Sequence, residues 1–236
     1  MEWMTRTFSY LLPNHCVLCG WRAGSILNLC DGCAGDLPLN TTCCPICAVP
    51  ALHAGPCARC LHRPPPFLTA SCPFLYDGGI RYLVTLAKFN GSLMAVHALG
   101  ALLAAHLSQE VGGLPRSIIP VPLHRARLRQ RGFNQALELA RIVGKSLDLP
   151  VRSDLCHRVR NTRPQSELMD ARQRVRNVRG AFAVREGAPP SVAIVDDVMT
   201  TGATIEEMSR TLRRSGVRDI AIWACCRTTY QVKSSG

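Results

Sequence analysis

A chain of 236 residues with 47% hydrophobic and 19% charged side chains can bury a core, which excludes a disordered protein and leaves room for one medium domain plus a small module. No apolar run approaches a membrane span, and the opening Met1-Glu2-Trp3-Met4-Thr5-Arg6, with its early acid and short apolar patch before Pro13, is unlike a secretory signal; no membrane insertion and a cytoplasmic location are expected. The formal net charge of +12 points to a polyanionic partner without choosing one.

The first segment is dominated by cysteine. Of 13 cysteines, eight fall in four C-x-x-C pairs: Cys16/Cys19, Cys30/Cys33, Cys44/Cys47 and Cys57/Cys60. Thiolates two residues apart on a turn converge on one metal, and two such knuckles complete a tetrahedral sulfur shell, so structural Zn2+, one ion or two, is expected. Pairing in sequence joins the first two knuckles into one site and the last two into another; crossed pairing stays open. A disulfide framework is the competing reading, and a reducing cytosol counts against it. His15, His53 and His62 find no vacancy in complete sets of four thiolates, and Cys43, Cys72, Cys156, Cys225 and Cys226 read as buried small hydrophobes or free thiols. With little periodic apolar pattern, the segment needs metal to fold. It closes at the stiff run Arg63-Pro64-Pro65-Pro66, which sets the expected division at residues 1–66 and 67–236.

After that division, residues 72–76 read as a strand, 77–79 as a turn, and 80–89 and 93–107 as helices. Residues 117–122 form a second strand with prolines near its exit. Arg125, Arg127, Arg129 and Arg131 follow at a spacing of two, which shares one side of an extended arm and scatters around a helix. The next helix, 134–146, is expected to turn Leu137, Ala140, Ile142 and Val143 to the sheet. Residues 161–180 form a second basic tract, in which Arg172, Arg176 and Arg179, at i, i+4 and i+7, share one face of a short helix. A strand at 192–195, a helix at 205–215 and a strand at 220–224 complete the series. Such alternation implies an α/β fold with a central parallel sheet flanked by helices.

The stretch with most chemistry is Val192-Ala193-Ile194-Val195-Asp196-Asp197-Val198-Met199-Thr200-Thr201-Gly202-Ala203-Thr204. Its apolar start suits a strand buried on both faces. Ligands of parallel sheets sit beyond the carboxyl ends of the strands, where Asp196 and Asp197 are expected to emerge and accept hydrogen bonds from a ribose diol. Thr200, Thr201, Gly202, Ala203 and Thr204 then offer backbone N–H groups and hydroxyls to an anion at the start of a helix. No G-x-x-x-x-G-K-[ST] and no G-x-G-x-x-G occurs, so P-loop and Rossmann alternatives lack their signatures.

This stretch resembles the phosphoribosyl pyrophosphate (PRPP) motif of type I phosphoribosyltransferases. PRPP carries a pyrophosphate as well as a 5-phosphate, so a second anion site is required. The strand exit Val121-Pro122-Leu123-His124, with Arg131 beyond it, is the candidate, since arginine's planar fork suits phosphate oxygens. Arg163, Gln165 and Arg172 lie in the tract that could form the flexible loop such enzymes close over PRPP to exclude water.

Taken with the cysteine knuckles, the segments Lys88-Phe89-Asn90-Gly91, Arg131-Gly132-Phe133-Asn134-Gln135, residues 162–165 with Arg172 and Asn177, and Gly180-Ala181-Phe182 resemble the ComF family, named for competence protein F and including GntX-type proteins. The resemblance covers nearly the whole chain. It implies a double zinc ribbon ahead of a type I phosphoribosyltransferase fold, PRPP and Mg2+ as ligands, Asp196 and Asp197 as catalytic residues, other competence proteins as partners, and a link to natural transformation or the use of external DNA. The sequence given after Trp223 leaves little room for the C-terminal hood that usually recognises a base. Two function classes stay open: phosphoribosyl transfer to an unidentified acceptor, and a non-catalytic zinc-ribbon protein that binds single-stranded DNA and uses PRPP as a regulatory ligand.

Overall fold

The computed structural model describes residues 15–23, 28–110, 112–162 and 171–229. In chain order its elements are α1 (Asp31–Gly35), α2 (Ala58–His62), β1 (Thr69–Ser71), β2 (Phe74–Leu75), α3 (Gly78–Phe89), α4 (Leu93–Leu107), β3 (Ile118–Pro120), α5 (Arg125–Arg131), α6 (Gln135–Leu147), β4 (Cys156–Arg158), α7 (Ala171–Val178), β5 (Phe182–Val184), β6 (Ser191–Met199), α8 (Ala203–Arg214) and β7 (Asp219–Arg227). The main sheet has the order β1-β7-β6-β3, with β2 also on β7, and every pairing in it is parallel. β4 and β5 form a separate antiparallel ribbon.

Val192, Ala193, Ile194 and Val195 are all fully buried, as an apolar run without a period of two requires. Alternate residues serve different cores. Ala193 and Val195 of β6 pack with Trp223 and Cys225 of β7 in a core that includes buried side chains of α3, α4 and α6. Val192 and Ile194 pack with Ile222 and Ala224 in a second core, which takes Ile205, Met208 and Leu212 from α8. Each core also receives part of the cysteine-rich segment: Cys16, Leu29 and Leu37 in the first, and Cys44, Cys47, Val49 and Cys60 in the second.

The structure departs from the sequence expectations at several places. Of the strand expected at 72–76 only β2 at 74–75 forms, and β1 at 69–71, outside the expected bounds, precedes it along β7; Pro73, between the two, has no N–H for the ladder. The arginines of 125–131 stand on a helix, not an extended arm. The His124 ring accepts the Ala126 N–H at 3.3 Å to start it, and Gly132 at φ +82° ends it. On α6 the buried stripe includes Ala136, Leu139, Ala140 and Val143; Leu137 is only half-buried, and Ile142 turns to α4. There a Cβ on Gly100 would lie 2.8 Å from the Ile142 side chain, so the two helices meet where one of them has no side chain. Among the described residues no helix is long and apolar enough to cross a membrane.

Candidate functional site

β6 runs four residues beyond the apolar stretch. Asp196 pairs with Ala224, Val198 with Cys226 and Met199 with Arg227, because β7 is equally long and sustains the ladder. Asp196 and Asp197 therefore lie inside the second half of a strand instead of beyond its end, and successive strand residues point to opposite faces. Asp197 is buried and faces α3, whose last turn brings Lys88 Nζ to 2.9 Å from its Oδ2. Burial disfavours the Lys88 ammonium, but the adjacent Asp197 outweighs it and raises the pKa. Asp196 Oδ1 instead accepts the N–H of Asp197 at 2.9 Å. Burial first, then the neighbouring Asp197 charge, push its carboxyl up to about 7, against an opposing pull from Lys88.

The sign of that shift gives a test. The unfolded chain ionises Asp196 near its ordinary value of 3.8, while the folded chain keeps the proton until about 7. Asp196 thus weakens the fold progressively as pH rises from 4 to 7, and its full effect is reached above 7. In thermal melts Asp196→Asn should match the parent near pH 4 and melt higher by about 5 °C at pH 8. A gap that narrows as pH rises would refute the assignment.

After Met199 the chain turns through Thr200 and Thr201 into Gly202, which takes φ +81° and N-caps α8. A left-handed residue is needed here, and a Cβ would also come within 3.2 Å of the Met199 methyl. The Thr201 hydroxyl accepts the Ala203 N–H at 3.4 Å. Thr200, Thr201 and Thr204 are half-buried, while Gly202 and Ala203 are buried. The loop brings N–H groups and hydroxyls together at a helix start, an arrangement suited to an anion.

β3 pairs beside β6 and leaves the sheet at the same edge. The Val121 N–H is taken by Val195 O at 2.9 Å, and Val121 O accepts Asn134 Nδ2 at 3.1 Å. Pro122 has no N–H, so Leu123 and His124 are the residues of this exit left to offer amides. Arg131 Nη1 donates to Gln135 Oε1 at 3.1 Å and its guanidinium lies over the Phe89 ring at 6.0 Å. It is thereby held beside the α3 end that carries Lys88. Arg172 is exposed on α7; Arg163 and Gln165 lie outside the described residues.

Sequence reading missed Lys88 as a member of this site, although a single lysine on the otherwise apolar last turn of an amphipathic helix was a signal. It also missed Arg158 on β4. Burial, then Arg127, lower its pKa to about 10, while Asp196 pulls the other way, so its charge is felt at the carboxylates. Arg158 stacks over Phe182 at 5.5 Å.

The cysteines form two clusters, Cys16/Cys19/Cys30/Cys33 and Cys44/Cys47/Cys57/Cys60, in each of which the sulfurs all lie within 4.8 Å of one another. Pairing is therefore sequential, not crossed. A tetrahedral Zn2+ shell requires sulfurs about 3.8 Å apart; Cys19–Cys30 and Cys47–Cys57 are each at 3.7 Å. Burial raises the Cys16 and Cys44 thiols, but backbone N–H groups prevail, first that of Cys30 or Cys57 in the facing knuckle and then those of each thiol's own knuckle, and bring them down to about 6 and about 7. Both clusters fit a structural zinc ion. The cysteines outside them stay protonated where buried: burial pushes Cys72 and Cys156 up to about 12.

A groove of about 520 Å³ is lined by Arg63, Arg179, Arg210 and Arg214 with Val175, Glu207 and Gly180. Arg210 pairs with Glu206 and Glu207, whereas Arg63, Arg179 and Arg214 are exposed.

Comparison with known proteins agrees with the cysteine geometry: the double zinc ribbon domain matches residues 7–61. DNA utilization protein YhgH of Escherichia coli O157:H7 is 34% identical over 92% of this chain and 98% of its own length. Competence protein F of Haemophilus influenzae is 33% identical over 84% of this chain and 90% of its own. Among solved structures, adenine phosphoribosyltransferase from Leishmania tarentolae covers 59% of this chain and 74% of its own at 15% identity, with a TM-score of 0.28, too low to bear on function. Identity sustained over almost the full length of both curated relatives, with an intact set of ribbon cysteines, means that the chain belongs to the ComF/YhgH family and carries its N-terminal double zinc ribbon.

Proposed function

We propose that the chain is a PRPP-binding protein of phosphoribosyltransferase type that acts in the uptake or use of DNA, with residues 1–66 as the ribbon module and 67–236 as the phosphoribosyltransferase-like domain. One observation carries the reading: at the carboxyl edge of a parallel sheet, a strand carries two adjacent acids, one of them paired with a lysine, and runs on through Val198 and Met199 into a threonine-rich anion loop. The relatives named for competence and DNA utilization support the cellular role.

In this reading Thr200, Thr201, Gly202, Ala203 and Thr204 hold the 5-phosphate. Asp196 and Asp197 accept the ribose hydroxyls and favour positive charge developing at C1 through their field. Leu123, His124 and Arg131 face the pyrophosphate, with Val121 and Pro122 shaping the strand exit, and Arg158 adds a cation nearby. Arg163, Gln165 and Arg172 belong to the covering loop that excludes water. The hard carboxylate oxygens fit Mg2+, which when bound with PRPP neutralises charge on the leaving group. Two structural Zn2+ ions hold the ribbons, and a reducing cytoplasm keeps their thiolates available. An acceptor attacks C1 directly as pyrophosphate leaves, so no covalent nucleophile from the protein is required.

A second reading, single-stranded DNA binding with PRPP as a regulatory ligand, is favoured by the arginine groove. Both are tested in one experiment: calorimetric titration with PRPP and Mg2+, pyrophosphate release with a panel of bases, and filter binding of an oligonucleotide against salt. The first reading expects micromolar PRPP binding and pyrophosphate released with at least one base. PRPP binding with silence across the panel and salt-dependent oligonucleotide binding selects the second, and no PRPP binding at all refutes both.

A further inference from the structure

Two arginines stand behind the anion loop and connect it to the second cysteine cluster. Arg227, at the end of β7, is fully buried. Its Nε donates to the carbonyl of Cys47, a cluster residue, at 3.0 Å, while its Nη1 donates to Met199 O at 2.7 Å and also to Thr200 O. Arg59 lies on α2 between Cys57 and Cys60. Its Nη1 donates to Thr201 O at 3.0 Å, and its Nη2 pairs with Glu206 in the first turn of α8. Three successive loop carbonyls, those of Met199, Thr200 and Thr201, are thus held by two cations that the second knuckle pair positions.

In a trans peptide the C=O and N–H point in opposite directions. Drawing these carbonyls backward turns the N–H groups of Thr200, Thr201 and Gly202 to the other side of the loop. A guanidinium at the carbonyl end also matches the peptide dipole, whose positive end then meets the ligand. Neither arginine need touch that ligand.

We propose that Arg227 and Arg59 are positioning residues that set the anion loop from behind, and that the second cysteine cluster, through them, governs how well the loop presents its amides. The claim about ligand affinity rests on the PRPP reading; the claim about loop order does not. Coupling of this kind is reciprocal: what fastens the loop to the cluster also fastens the cluster to the loop.

The test uses the full zinc-loaded chain. Hydrogen exchange of loop amides 200–204 is followed, without ligand, in the parent, Arg59→Ala, Arg227→Met and the control Arg141→Ala, which removes an exposed cation from α6. The expected result is loop exchange about tenfold faster in Arg59→Ala and faster still in Arg227→Met, at two zinc ions per chain, with the control unchanged. PRPP binding should weaken by about tenfold in Arg59→Ala, and PRPP should slow chelator removal of one of the two zinc ions in the parent but not in Arg59→Ala. Because Arg227 is buried and Arg227→Met could fail to fold, Arg59→Ala, whose parent side chain is 41% exposed, carries the test alone. Loop exchange in Arg59→Ala equal to the parent overturns the proposal. Faster exchange in a protein whose parent binds no PRPP supports the coupling and overturns the ligand reading.

Discussion

Asp197→Ala should raise the dissociation constant for PRPP by about 100-fold, since about two charge-assisted hydrogen bonds to the ribose are lost, each worth about 1.5 kcal/mol or more. The same change should lower stability by about 3 kcal/mol, because Lys88 then keeps its charge in a site that no longer balances it. Lys88 is 26% exposed and Asp197 10%, so the penalty belongs at the lower end of the range for breaking buried pairs. The two effects can be separated. In Asp197→Ala with Lys88→Met both charges are gone, and the melting temperature should recover toward that of the parent while PRPP binding does not. Calorimetry and thermal denaturation on the parent and both variants decide the matter. A single variant that binds PRPP as the parent does would remove the acids from the site; a double variant no more stable than the single one would mean the pair is not what Lys88 depends on.

The larger effect on the fold should come from the second cysteine cluster. Cys60→Ser is expected to leave no soluble folded protein, whereas Cys19→Ser should fold with one zinc per chain in place of two and a lower melting temperature. Cys44, Cys47 and Cys60 are buried and share a core with β6, β7 and α8, while Cys19 is exposed. A structural zinc ion contributes on the order of 10 kcal/mol of apparent free energy, comparable with the whole stability of a typical domain. Its loss from a site inside the core should therefore unfold more than the ribbon. Zinc release by a chelator, read against far-ultraviolet circular dichroism, checks this. A folded Cys60→Ser protein with an unchanged melt would show that the second ribbon is not integral to the core.

Local signals disclosed much of this architecture. The uninterrupted apolar run 192–195 identified a strand buried on both faces, and the cysteine spacing identified knuckles, because both features are set by residues adjacent in sequence. What could not be read depends on distant partners. The extension of β6 through Asp196 to Met199 follows from the length of β7, 28 residues later. The α5 helix was hidden by a spacing of two among its arginines, and its caps, His124 and Gly132, decide the matter instead. Lys88 and Asp197 are more than a hundred residues apart, so no pattern in either segment announces their ion pair. Nothing near Arg227 in sequence accounts for its burial, which becomes intelligible only with the carbonyls of Cys47, Met199 and Thr200 in place.

The attachment of the two ribbons to separate cores of one sheet has a consequence for how the molecule is assembled. The ribbons are synthesised before the sheet, yet the surfaces that cover Leu37 and Val49 belong in part to β6 and β7, among the last described strands to be made. The contact between Cys47 and Arg227 spans 180 residues. High contact order of this kind slows folding and leaves early apolar surface uncovered. Metal capture can organise each ribbon locally, but the nascent chain must carry both with their inner faces open until the C-terminal strands arrive, and that interval is when chaperones would have most to do.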